Sequence, residues 1–209
     1  MGQGTLKYLR ILVPGLIFLL GFYPIYNKYF SDLYQVTTID FSYLTLLSVI
    51  AGSIYYQLNF QHIVTRPSHF FITKNIRNKL IEISALQVSD AQRKKIKKER
   101  KYMHVFYNLL DSDESLKRKT ANVYFNGIFW TSTADSFLIN IVFYFLYKYK
   151  FNDIEKSAEY SKMFLVLAIL SIILHVISVI KHIHLSNDQL SYIQTHKSAD
   201  VNTKINAIL

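Results

Sequence analysis

The chain has 209 residues, a formal net charge of +10, no cysteine, and an apolar content of 51% that is gathered into blocks. The missing cysteine excludes a disulfide scaffold, a thiolate nucleophile and any Cys-based zinc site. The clumped apolar content puts a membrane protein first among the classes that remain.

Lys7 and Arg10 precede the first apolar run, as in a signal peptide, but the following "GFYPIYNKYF" is bulky and aromatic and offers no small-residue cleavage site, so an uncleaved span is expected. "MGQGTL" has Leu6 where myristoylation needs Ser or Thr. A bilayer core about 30 Å thick asks for about 20 apolar residues per helix. Four windows meet this, over 11–29, 41–60, 126–147 and 163–181. Pro14, Gly15, Gly21 and Pro24 predict a kink in the first. Ser48, Gly52 and Ser53 give the second a small-xxx-small spacing that permits close helix approach. Tyr26, Tyr29, Tyr55, Tyr56, Tyr147 and Tyr149 fall where an aromatic belt would meet water.

The segment 61–120 carries 14 of the 24 Lys and Arg, which predicts a cytoplasmic insertion with both termini on the same side. The expected organisation is a transmembrane hairpin over 1–60, a basic helical cap over 61–120, a second transmembrane hairpin over 121–182 and a C-terminal tail over 183–209. After Pro67, the residues Ile72, Ile76, Leu80, Ile83 and Leu86 recur at helical spacing and predict a helix over 70–87. Ser89 followed by Gln92 is a capping-box pattern that opens a second helix, with an apolar second half at Met103, Phe106, Tyr107 and Leu110. Asp111 and Asp113 predict the N-cap of a long helix that runs into the third span.

Seven of the nine residues from Arg93 to Lys101 are cationic: Arg93, Lys94, Lys95, Lys97, Lys98, Arg100 and Lys101. Such a cluster fits a solvated face that enforces topology, a surface for lipid headgroups, or a site for a nucleotide or oligonucleotide. For the last of these, His62, His69, Phe70, Phe71, Tyr102 and His104 would offer stacking faces.

The third span carries the most informative polarity. At 100° per residue, Asn122, Asn126, Phe129, Thr133, Ser136 and Asn140 fall within about 40° of one line. Hydrocarbon cannot satisfy such groups, so the stripe either lines a pore between copies or ties helices together. Asp135 lies about 140° away and needs a partner of its own, because an unpaired carboxylate near the bilayer centre costs about 2.5–3.5 kcal/mol. His175 in the fourth span sits at a similar depth, so the pair Asp135 and His175 is expected to face one another, as a proton-sensitive latch or as a structural tie. No glycine-rich phosphate loop, HExxH or nucleophile elbow is present, and His182, His184 and Asp188 make a poor metal site. Neither enzymatic activity nor a cofactor or metal is expected.

These features, with the stretch "FYNLLDSDESLKRKTANVYFNGIFWTSTADSF" joining cap to span, resemble the four-transmembrane pore-forming effectors of bacterial anti-phage defence, of which the Hailong ion-channel effectors are one group. The resemblance implies an all-α membrane protein assembled as a homo-oligomeric channel, by preference a tetramer, in a bacterial inner membrane. It also implies a nucleotide or oligonucleotide ligand, made by a partner nucleotidyltransferase, acting on the cap. The competing class is a non-conducting membrane scaffold or exclusion protein whose cap binds a protein or anionic lipid.

Overall fold

The computed structural model describes residues 3–30, 41–58, 60, 62–84, 89, 91, 92, 94 and 101–208. Every described element is helical: α1 (Gln3–Tyr29), α2 (Phe41–Leu58), α3 (His62–Ile83), α4 (Lys101–Asp111), α5 (Glu114–Phe145), a π turn (Leu146–Lys150), α6 (Ser157–His196) and α7 (Ser198–Asn206). Tyr8–Tyr29, Glu114–Lys150 and Ser157–His196 are long and apolar enough to cross a membrane. The 18 residues of α2 extend about 27 Å. The chain divides into two compact units, Met1–Thr65 with Ile128–Ile177, and Arg66–Gly127 with Ser178–Leu209.

In the first unit α1 packs densely on α2. A Cβ on Gly15 would meet the Ser48 carbonyl and one on Gly52 would meet the Ile11 carbonyl, so the two backbones touch where the small residues lie. The close approach expected of Ser48 and Gly52 is therefore real, and its partner is α1 of the same chain. Pro14 and Pro24 both lie inside α1, where each removes one N–H from the helical ladder. Ile25, Ile139, Phe143, Tyr147, Ile154 and Phe164 form a buried cluster. The Tyr147 ring stacks on Phe164 at 5.7 Å, and its hydroxyl donates to the Gly21 carbonyl at 2.6 Å. This corrects the belt position expected for Tyr147: a phenol whose only polar atom finds a carbonyl can be buried whole. Tyr29, Tyr56 and Tyr149 are exposed, as belt residues are. On α6, Ile169, Ile173, Ile177 and Ile180 are about half exposed, an apolar surface suited to lipid.

Helix α3, most of which belongs to the second unit, begins at His62, before Pro67, and so starts earlier than the proline suggested. Ile72, Ile76, Leu80 and Ile83 are buried as their spacing predicts, while Leu86 lies outside the described residues. The Ser89–Gln92 capping box is formed: the Ser89 N–H donates to Gln92 Oε1 at 2.9 Å, and the Gln92 N–H donates to Ser89 Oγ at 3.3 Å. The buried face of α4 is Tyr102, Val105, Phe106, Leu109 and Leu110, with Tyr107 on the exposed side. Asp113 caps α5 by accepting from the N–H groups of Ser115 and Leu116. The N–H groups of Leu116 and Ser115, with the Lys197 ammonium 3.8 Å away, hold the Asp113 carboxyl below the usual range. The segment read as a tail from 183 is ordered helix: α6 continues to His196 with Ser186, Gln189, Leu190 and Ile193 buried along one face, and α7 packs on α4 through Val201 and Ile205.

Candidate functional site

Asp135 is 2% exposed and lies in the first unit. Its polar neighbours are the Tyr55 hydroxyl from α2 and the Arg10 guanidinium from α1. Arg10 Nε, Ser132 Oγ and Asp135 Oδ1 are each buried without a hydrogen-bond partner of ordinary geometry, while the Tyr55 hydroxyl is turned to the Asp135 carboxyl. The guanidinium also lies over the Tyr56 ring, 5.3 Å from its centroid. Such a group, with a carboxylate, a guanidinium and two hydroxyls, can exchange a proton or receive a cation that brings its own charge, because buried polar atoms left unmade are costly.

The expected pairing of Asp135 with His175 is replaced by two separate arrangements. His175 Nδ1 lies 3.1 Å from the Trp130 carbonyl oxygen, and the indole and imidazole centroids are 6.3 Å apart. Similar depth was the reason to pair them, but depth says nothing of facing. The side of α5 that carries Asp135 is turned to α1 and α2, whose polar groups are Arg10 and Tyr55. Arg10 reads in sequence as a topology signal and Tyr55 as a belt residue. The usable signal was that Arg10 sits among Leu9, Ile11 and Leu12, inside the apolar run and not before it.

The stripe on α5 divides. Asn126, Thr133 and Asn140 are buried, Ser136 is half-buried, and Asn122 and Phe129 are exposed. Asn126 Nδ2 donates to the Ser178 carbonyl at 2.9 Å and lies 3.4 Å from His182 Nδ1. Thr133 Oγ1 donates to the Trp130 and Phe129 carbonyls, and Ser136 Oγ to the Ser132 carbonyl, so both hydroxyls are satisfied within α5. Asn140 Oδ1 is buried without a partner.

Of the basic cluster, Arg93, Lys95, Lys97, Lys98 and Arg100 lie outside the described residues. Lys94 and Lys101 are exposed, with Lys101 opening α4. Of the aromatic faces expected beside it, Phe70 and Phe71 are exposed with ring centroids 5.8 Å apart. Tyr102 is not available for stacking, because its ring is 5% exposed in the core of α4. Among the described residues no group of three His, Asp or Glu converges on a metal-sized point.

At the far end of α1, Lys28 Nζ donates to Asp153 Oδ2 at 2.8 Å, and the Tyr29 hydroxyl donates to the same carboxylate at 2.8 Å. Lys28 first and Tyr29 second hold the Asp153 carboxyl below its usual range. An apolar cavity of about 780 Å³ lies between α1, α2 and α5 in the first unit. Its existence had no sequence signal, because it depends on how three separate helices fail to fill the space between them.

The described residues thus make an all-helical protein, with three helices among them of membrane-crossing length and apolarity. No protein-family model, curated protein or solved structure matches it.

Proposed function

We propose that the chain is the subunit of a homo-oligomeric ion channel in a bacterial inner membrane, with α2 as a fourth span and both termini in the cytoplasm. The observation that carries this reading is Asp135, a carboxylate 2% exposed on a membrane-length helix, with Arg10 and Tyr55 beside it and one oxygen unpaired. Ionisable groups at such positions are expensive to keep and mark ion or proton pathways. Asn122, Phe129 and Ser136 remain at least partly accessible on α5 and are the stripe residues available to a pore between copies, by preference four. The basic segment 93–101 receives an anionic ligand of the nucleotide type, supplied by a partner nucleotidyltransferase. Depolarisation and growth arrest in anti-phage defence follow from opening.

A second reading has its own support. Asn126 finds its partner on α6, as residues that tie helices together do, and this favours a non-conducting membrane scaffold whose cap binds a protein or anionic lipid. Planar-bilayer recording of purified protein, with and without oligonucleotides, separates the two. Conductance that changes in Asp135→Asn supports the channel. No conductance under any oligonucleotide, together with a monomeric mass in detergent, overturns it in favour of the scaffold.

A further inference from the structure

Among the described residues Asp135 is the one buried carboxyl, and its Oδ1 has no hydrogen-bond partner. The titratable and charged groups around it come from three other helices. On α6, His175 is engaged with the Trp130 carbonyl. On α1, Arg10 is within electrostatic reach, yet among the described residues no ion pair joins it to Asp135. Arg10 Nε is itself without a partner, and the guanidinium lies over the Tyr56 ring, 5.3 Å from its centroid. On α2, the Tyr55 hydroxyl is turned to the carboxyl, and Tyr56 is the ring that holds Arg10. Ser132, one turn before Asp135 on the same side of α5, adds a hydroxyl and no charge.

This arrangement suits a neutral acid. An ionised carboxylate so deeply buried is costly unless an ion pair of good geometry compensates it, and the guanidinium that could make one stands on an aromatic face instead. A carboxylic acid needs only hydrogen bonds, and it can donate one as well as accept. A metal ion fits the same place poorly: one carboxylate and two hydroxyls make a thin shell of oxygens, and the guanidinium beside them repels a cation. Arg10 is half-buried, about 10 Å along α1 from Gln3, so the pocket is reached from the surface along its side chain.

We propose that Asp135 is a proton-binding site, which holds its proton while Arg10 stands on Tyr56 and, on releasing it to water, draws the guanidinium off that ring into an ion pair that ties α1 to α5. The inference rests on the reading of Asp135 as an ion or proton site and names the ion, but it does not require that the protein conduct. Release of the proton takes the pocket from one positive charge to none, and the change is paired with a movement of Arg10 from α2 to α5.

The test is infrared difference spectroscopy of the full chain in phosphatidylcholine vesicles, stepped in pH, which reads the carbonyl stretch of a buried protonated carboxyl and needs no current. The expected result is a band that disappears reversibly as pH rises and that is missing throughout in Asp135→Asn. Heavy-carbon labelling of the aspartate carboxyls should lower its frequency, which assigns the band to an aspartate even if that variant fails to fold. In Arg10→Gln the ionised form has lost its partner, so the band should persist to a pH about one unit higher or more. In Tyr56→Leu, at an exposed position, Arg10 is free to reach the carboxylate and the band should vanish at lower pH. The absence of any Asp135-dependent band across the pH range overturns the site, whatever the conductance. An identical titration in Arg10→Gln overturns Arg10 as the counter-charge, and one in Tyr56→Leu overturns its resting place on that ring. A titrating band in a protein that carries no current supports the proton site while sinking the channel.

Discussion

A Cβ built on Gly15 would stand inside the van der Waals shell of the Ser48 carbonyl oxygen, which leaves α1 and α2 in backbone contact at that point. Gly52 repeats the relationship one turn along, where its Cβ would overlap the Ile11 carbonyl oxygen. Neither clash involves a flexible side-chain end that could move aside. Gly15→Val and Gly52→Val should each destabilise the chain by about 1–3 kcal/mol or more, because overpacking here must push the helices away from one another. Thermal unfolding in detergent measures it. Gly127→Ala is the control: its Cβ would lie 3.9 Å from the His182 ring, an ordinary contact, and the gain in helix propensity should make it neutral or stabilising by about 0.5–1 kcal/mol.

Asp135, Arg10 and Tyr55 are drawn from three helices, and their dependence on one another can be measured. Asp135→Leu and Arg10→Met singly each leave the other group buried with less compensation. The double variant removes both and should be less destabilised than the sum of the singles, with a coupling of about 0.5–3 kcal/mol. Asp135→Leu combined with His175→Leu should show no such coupling, since His175 engages the Trp130 carbonyl. A coupling of equal size in that second cycle would return the carboxylate to His175.

Asn126 separates the two uses of polarity on α5. If its amide serves to hold Ser178, Asn126→Leu should lower stability by about 0.6 kcal/mol, and by no more than about 1.7, in line with hydrogen bonds between membrane helices. On the proposed channel reading, single-channel current should then be less affected than in Ser136→Leu or Phe129→Ala, whose positions remain accessible. A change of conductance at Asn126 with unchanged stability would contradict this.

The acid limb of stability should carry the mark of Asp153. Its carboxyl is held below the ordinary value by Lys28 and Tyr29, so it binds a proton less readily folded than unfolded. The stabilisation is fully present above the unfolded carboxyl's pKa, about 3.9, and is lost as pH falls through the lower folded value. The thermal midpoint of Asp153→Asn should lie below that of the wild type at neutral pH, and the gap should close in acid. A gap that stayed constant down to the lowest pH measured would show that the carboxylate's charge is not involved.

What could be read from the sequence was what neighbouring residues decide together. Ile72, Ile76, Leu80 and Ile83 declare their face by period alone, Ser89 and Gln92 cap one another within a single turn, and Asp113 needs only the next three residues. Ser48 and Gly52 announced a close approach but could not name α1 as the helix that makes it. The partner of Asp135 was out of reach for the same reason: it depends on how α1, α2 and α5 are rotated about their axes, and depth along a helix carries no rotation. Pro67 misled at the start of α3, because a helix can carry a proline beyond its first turn when the packing of Ile72 and Ile76 repays the lost N–H bond. Tyr147 misled as well, because a tyrosine's place at a boundary or in a core turns on whether a carbonyl such as that of Gly21 comes within reach of its hydroxyl.

The contact between Gly15, Ser48 and Gly52 has a consequence for biosynthesis. All of its residues lie within the first 52, so the first helical pair has everything its closure requires while most of the chain is still to be translated. Asp135 is translated much later, so the hairpin that carries Arg10 and Tyr55 can close before the charged cluster is completed. A substitution at Gly15 should therefore be felt first during insertion into the membrane, as failed maturation of new chains.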